Sequence, residues 1–109
     1  MTAALFTAPG VSAQGKVPPY PEALRCAALS DAALRVGKGT PQESQLFDRN
    51  IFWSMAAADA GRAAGKTARA VDGEVERESA GYQPRLRSGD GAATSALASC
   101  AGRVTPLDK

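Results

Sequence analysis

Apolar residues recur at helical spacing through most of the chain after residue 20, and this pattern predicts four helices. In the first, small and branched apolar residues form a stripe from Cys26 to Val36, with charged residues on the opposite side. Pro21 suits the first turn of this helix, and Gly37 is expected to end it.

The second predicted helix has the strongest local start signal in the sequence. Thr40, Pro41 and Glu43 fit a capping box, in which Thr40 is the N-cap and the Glu43 side chain accepts a hydrogen bond from the Thr40 amide. Apolar residues then occupy two opposite sides, so we expect neighbours on both sides and predict that this helix is the central one. One side contains Phe47, Ile51, Met55 and Ala58, and the other contains Leu46, Trp53, Ala56, Ala60 and Ala64.

Small residues and a turn signal follow in the same segment. A continuous helix over residues 41–80 would be about 60 Å long, which exceeds what a domain of this size can cover. We therefore predict a break at Gly65, with Thr67 as the next N-cap. The spacing of Ala57, Gly61 and Gly65 predicts a close approach by another helix.

The last two predicted helices differ in hydrophobicity. The third, over residues 68–80, is mostly polar with a narrow stripe at Val71 and Val75, and Gly81 and Pro84 are expected to interrupt it. A turn at 88–91 follows, in which Asp90 caps the fourth helix. The apolar face of that helix contains Ala93, Ala96, Leu97, Cys100 and Val104.

The composition is that of one small, weakly hydrophobic domain. Ala supplies 23 of the 109 residues, whereas Leu, Ile, Val and Phe together number only 18. So few large apolar side chains raise the question of disorder, but the net charge of +2 is unlike that of disordered chains. We therefore predict an all-α bundle that packs through Ala and is strengthened by a crosslink.

The two cysteines are the candidates for that crosslink. Cys26 and Cys100 lie far apart in the sequence, without the spacing of a zinc or redox motif. Cysteines of this kind usually pair in an oxidising compartment, and the bridge would contribute on the order of 4 kcal/mol. Because both lie on apolar stripes, we expect the disulfide to join the first and last helices. Two buried free thiols are the alternative.

The N-terminus predicts export. Residues 3–8 are mainly apolar, and Val11, Ser12 and Ala13 form a small-residue pattern of the kind cut by signal peptidase. We interpret 1–13 as a signal-peptide remnant, 14–20 as an extended lead-in, 21–105 as a single helical domain and 106–109 as a tail. The expected location is a bacterial periplasm or the exterior of the cell. An irregular N-terminal tail is the alternative.

The sequence lacks histidine and the motifs that are typical of a catalytic or metal site. It contains no His, which removes the usual general base and a frequent zinc ligand, and no Gly-x-Ser-x-Gly motif. The acidic residues of 72–78 spread around a helix instead of converging, and no EF-hand pattern occurs. We therefore expect no catalytic residue, no metal site and no cofactor, and no small-molecule ligand is identifiable.

Charge and hydropathy limit the classes of partner that we expect for this chain. The scattered basic residues do not form the stripe that is typical of nucleic-acid-binding proteins, so no nucleic acid is expected. The sequence contains no run of 18 apolar residues and therefore predicts no membrane span. The partner classes that are left are another protein and a second copy of this chain.

Four residues of the second helix are candidates for binding. Asp59 and Arg62 are spaced as an ion pair among Ala residues, close to Trp53 and Asn50. The pair has two interpretations: it fixes helix packing, or it is a polar anchor in a small groove. Trp53 is interpreted as a core residue in preference to a ligand platform.

The segment 46–66, together with the final Leu97-Ala98-Ser99-Cys100 pattern, resembles small exported bacterial helical proteins that have two cysteines. In plan the chain is also similar to two-cysteine periplasmic chaperones and to small secreted immunity or inhibitor proteins. We expect a non-enzymatic protein that binds another protein in an inhibitor, immunity or accessory role. The alternatives are a periplasmic holdase for stress conditions and an enzyme that uses a carboxylate such as Asp59.

Overall fold

The computed structural model describes residues 18–104, which form four helices and no β-strand. The helices are α1 (Tyr20–Val36), α2 (Glu43–Ala63), α3 (Ala68–Arg87) and α4 (Gly91–Ala101). This architecture confirms the predicted all-α bundle. The predicted signal remnant at 1–13, residues 14–17 of the predicted lead-in and the tail at 106–109 lie outside the described residues.

The central helix of the bundle is α1, so the prediction that the second helix is central was wrong. The other three helices all pack against α1, and the closest associations are with α3 and α2. Every residue from 26 to 33 except Asp31 is buried. Because most of these side chains are Ala, neighbouring helices approach α1 on several sides, whereas α2 is covered along one side by the residues that the structure describes.

Trp53 is the largest fully buried side chain of the described residues, and it connects α2 to the end of α4. Its indole N–H donates a hydrogen bond to the backbone carbonyl oxygen of Cys100 at 3.2 Å. The ring of Phe52 meets the indole edge-on, with 5.3 Å between ring centroids, and the guanidinium of Arg103 lies 5.3 Å from the indole centroid. Trp53 is therefore a core residue, as predicted.

The predicted disulfide is confirmed. Cys26 of α1 and Cys100 of α4 are bonded, with their Cα atoms 5.6 Å apart, and both are buried. The bond attaches the short helix α4 to the central helix across 74 positions of sequence. It therefore supplies an attachment that the sparse apolar surface of α4 provides only weakly.

Two of the predicted helix boundaries are confirmed in detail. Gly65 has a positive φ of 81° directly after α2, and the Thr67 side chain then accepts a hydrogen bond from the Ala70 amide at 3.1 Å. Asp90 likewise accepts a hydrogen bond from the Ala93 amide at 2.8 Å. Left-handed glycine and side-chain caps thus divide the long helical pattern as the sequence indicated.

The predicted capping box at Thr40 was wrong. Glu43 accepts a hydrogen bond from the amide of Gly39 at 2.9 Å, and the Thr40 hydroxyl donates to the carbonyl oxygen of Gly37 at 2.6 Å. α2 therefore begins at Glu43. Gly39 has a positive φ of 85°, and this turn presents the Gly39 amide to Glu43 in place of the Thr40 amide.

The predicted interruption of the third helix at Gly81 and Pro84 was also wrong, because α3 continues to Arg87. Proline inside a helix removes one backbone hydrogen bond. Here Pro84 is exposed, and so is Ala80, whose carbonyl would have received that bond, so water can solvate the freed oxygen. Tyr82, which lies beyond the predicted end of the third helix, packs against the core. This packing favours continuation of α3.

We predict that loss of the disulfide destabilises the fold more than loss of any single buried Ala. Replacing both Cys26 and Cys100 by Ala should lower the free energy of unfolding by about 4 kcal/mol, because the unfolded chain is no longer constrained. Urea denaturation of the variant and of the oxidised wild type measures the difference. Equal stability of the two proteins would contradict the prediction.

We predict that replacing Gly61 even by Ala lowers the stability of the fold. A Cβ atom at this position would lie 2.4 Å from Cγ2 of Val71 and 3.3 Å from Cε1 of Tyr20. Gly61→Ala should therefore lower the free energy of unfolding by about 1–3 kcal/mol. Gly73→Ala is the matched control, because a Cβ there meets no atom within 4 Å, and it should stabilise α3 by about 0.5–1 kcal/mol. Stabilisation by both changes would contradict the close contact.

Candidate functional site

The side of α2 that faces away from α1 carries a line of apolar residues. Trp53, Ala57, Ala60 and Gly61 are the buried residues of α2. Phe47 and Met55 lie on the opposite side, with 51% and 64% of their surfaces exposed. They are the exposed large hydrophobic residues of the part of the chain that the structure describes. We call the line that contains them the outer face of α2, made up of Ser44, Phe47, Ile51, Met55, Ala58 and Arg62.

The spacing of these residues keeps them aligned along the helix. Intervals of three, four, four, three and four residues average close to the 3.6 residues of one helical turn. The line is therefore nearly parallel to the helix axis over most of α2. Asp48 and Asp59, both exposed, lie to one side of it. The outer face is thus a narrow apolar strip with a charged margin.

A second apolar feature is a groove of about 400 Å³ at one end of the bundle. It lies where the end of α1, the start of α2, the end of α3 and the side of α4 meet. Its apolar lining consists of Ala33, Val36, Leu46, Leu86 and Leu97, and its polar lining of Thr40, Gln42 and Thr94. Gly37 allows Leu46 to approach the backbone, since a Cβ at Gly37 would lie 2.4 Å from Cδ1 of Leu46.

A polar cleft of about 270 Å³ lies between α1, α2 and α3. Its charged lining residues are Asp31, Arg35, Asp72 and Glu76. Arg35 bonds to Asp31 at 2.9 Å, and this hydrogen bond raises the pKa of Arg35. Among residues 18–104 no three acidic or cysteine side chains converge as a metal site would require.

A network of Tyr20, Glu74 and Lys66 joins the start of α1 to α3. The Tyr20 hydroxyl donates to Oε1 of Glu74 at 2.6 Å, and Nζ of Lys66 lies 3.1 Å from Oε2. The two hydrogen bonds, that of Tyr20 first, lower the pKa of Glu74. Burial, and then the bond to Glu74, raises the pKa of Tyr20. The network holds the start of α1 against α3.

The four predicted binding candidates do not form one site. Asp59 and Arg62 are bonded to each other on the surface, where 53% and 72% of their side chains are exposed. Trp53 is 1% exposed on the opposite side of α2. Asn50 is half-buried, and its Oδ1 is shielded without a hydrogen-bond partner among the described residues. The interpretation that this pair fixes helix packing was wrong, because both side chains lie on the exposed surface of α2.

Sequence reasoning placed four residues of the outer face on one side of the second helix but expected a neighbouring helix to cover that side; these are Phe47, Ile51, Met55 and Ala58. The signal for exposure was the presence of two apolar sides on one helix of a chain with few large apolar residues. The groove was missed because Val36, Leu46 and Leu86 belong to three helices whose relative placement no local pattern specifies.

Comparison of the chain with known protein families, curated proteins and solved structures found no match. Among the described residues, no helix combines the length and hydropathy that crossing a bilayer requires.

We predict that the Tyr20–Glu74 contact makes stability depend on acid pH. Because the pKa of Glu74 is lowered in the fold, its contribution is present above its unfolded pKa of about 4.3 and is lost as pH falls through the lower folded value. Tyr20→Phe removes the larger cause of that shift. The stability difference between wild type and variant should therefore be largest near pH 7 and shrink below about pH 4.

Chemical denaturation at pH 7, 5, 4 and 3 measures this difference. Tyr82→Phe is the control, since it removes a tyrosine hydroxyl about two helical turns from Glu74 on the same helix. A gap between wild type and Tyr20→Phe that stays constant across the series would show that the hydroxyl acts by packing alone.

Proposed function

We propose that this chain is a non-enzymatic, exported domain that binds another protein through the outer face of α2. The observation that carries the proposal is the exposure of Phe47 and Met55 in one line on a helix whose other side is already packed. A helix with two apolar sides normally has neighbours on both. Within the described chain it has them on one side, and a partner would supply the rest.

The energetics of these side chains suit a protein contact. Covering the exposed parts of Phe47 and Met55 would contribute roughly 1–2 kcal/mol each. Aromatic residues and Met are enriched in protein interfaces, and Met adapts to irregular surfaces. The neighbouring charges of Asp48 and Arg62 would form the polar rim of such a contact.

The fold also holds this surface rigid. Trp53 anchors the middle of α2 to Cys100 through its indole hydrogen bond, and Cys100 is bonded to α1. Binding therefore requires little ordering of the helix, which reduces the entropic cost of association. An oxidising compartment, in which the disulfide persists, is consistent with the proposed export.

A non-catalytic role is supported by the chemistry of the described clefts. The apolar groove offers two threonines and a glutamine as its polar groups, and none of these is activated by a neighbouring histidine because the chain has none. Asp59 lines neither the groove nor the polar cleft. The groove therefore offers no nucleophile with an activating base for acyl transfer, and the alternative of an enzyme based on Asp59 has neither cleft around that residue.

We predict that Phe47→Ser combined with Met55→Ser strongly weakens binding to the partner. The immobilised, disulfide-bonded protein is incubated with the cell-envelope fraction of the source cells, and a discrete captured protein is identified by mass spectrometry. Loss of the two apolar contacts should weaken its binding at least about tenfold in a titration with the purified partner.

Arg77→Ser is the matched surface control, since Arg77 is exposed on α3, and Leu86→Ser tests the groove separately. Equal capture by wild type and by the Phe47/Met55 variant would refute the proposed surface. Capture of many denatured proteins without one discrete partner would favour the holdase function instead.

A further inference from the structure

We propose that the outer face of α2 also pairs with the same face of a second copy of this chain, in an antiparallel arrangement centred on Met55. The inference rests on the proposed function in one respect, because it takes this face to be a contact surface. It goes further by naming an occupant and a register.

The charges of α2 are complementary to themselves in this arrangement. Asp48 and Arg62 each lie seven residues from Met55, on opposite sides of it along the helix. When Met55 meets Met55 of the partner subunit with the helices antiparallel, Asp48 lies opposite Arg62 of the partner subunit, a guanidinium that also bonds to Asp59 of its own chain. The two-fold axis generates this pair twice. Antiparallel helices also place opposite ends of their macrodipoles together.

A parallel arrangement has the reverse electrostatics. It would place Asp48 opposite Asp48 of the partner subunit, and Arg62 opposite Arg62 of the partner subunit. Like charges opposite each other oppose association. The distribution of charge along α2 therefore selects the antiparallel orientation.

Side-chain size agrees with the same register. Ala58 and Ile51 lie within one position of being equidistant from Met55, so Ile51 faces the small side chain of Ala58 of the partner subunit. A large apolar residue thus meets a small one near the centre of the contact, as close packing of two helices requires.

The size of the contact sets its strength. α2 has 21 residues and is about 31 Å long, and a helix pair makes contact over a strip about 10 Å wide. The area covered is roughly 300 Å² per chain, well below the roughly 800 Å² per partner of a stable complex. We therefore expect a weak dimer, with a dissociation constant between about 10 µM and 1 mM.

A charge-exchange experiment tests the pairing and its register together. Asp48→Lys alone and Arg62→Glu alone each place like charges at both contact points, so both variants should remain monomeric. An equimolar mixture of the two variants restores opposite charges at both points. Sedimentation equilibrium of the oxidised proteins, from 10 µM to 1 mM, measures the mass.

The expected results are concentration-dependent dimerisation of the wild type, monomeric single variants and recovery of the dimer in the mixture. Arg77→Glu changes charge by the same amount as Arg62→Glu on exposed α3 and should dimerise like the wild type. Thermal unfolding of each variant verifies that it is folded. A wild type that is monomeric at 1 mM, or a mixture that stays monomeric while the wild type dimerises, overturns the inference.

This outcome is separable from that of the proposed function. A monomeric wild type that still loses its captured partner on Phe47→Ser and Met55→Ser substitution refutes the self-pairing and leaves the binding function supported. A dimeric wild type whose capture of other proteins is unaffected by those substitutions supports the self-pairing and refutes the binding function.

Discussion

The close packing of α1 is the constraint on which the rest of this structure depends. Ala residues dominate its buried surface, so the helices around it approach more closely than larger side chains would allow. Trp53 and Leu29 are the two largest fully buried side chains among the described residues. A core of this kind removes little apolar surface from water per residue, and for that reason we expect the bond between Cys26 and Cys100 to supply a large share of the stability.

The same close packing explains why α2 has one packed side and one exposed apolar side. Its inner side needs only small residues and one indole to pack against α1, and Gly61 permits direct contact with Val71 and Tyr20. Phe47 and Met55, two of the large side chains of α2, are on the surface. The inner side of α2 thus packs mainly through small side chains, and the large side chains of its outer side are those to which we assign the proposed contact.

Local signals predicted much of the fold. Thr67, Asp90 and Gly65 act within a few residues of their positions, so their roles follow from backbone geometry alone. The pairing of Cys26 with Cys100 followed because two cysteines on apolar stripes have one way to combine. Pro84 shows the limit of such reasoning: its effect depends on whether water reaches the freed carbonyl, which is a property of the folded surface.

The candidate site was less predictable, for a related reason. Periodicity places Phe47, Ile51 and Met55 on one side of a helix but does not specify whether another helix covers that side. Whether that side is covered depends on which helix is central. The helices of an Ala-rich chain differ too little in hydrophobicity for the sequence to identify the central one. The Tyr20–Glu74 contact spans 54 positions and had no local signal at all.

Trp53 is the only tryptophan in the chain, and it lies where α2, α4 and the disulfide-bonded Cys100 meet. The indole is therefore an intrinsic optical reporter at the junction of the bundle. Its emission follows the polarity around a single ring, without averaging over several sites. Entry of water between α2 and α4 would change that emission, whereas fraying of the outer ends of the helices would leave it unaltered.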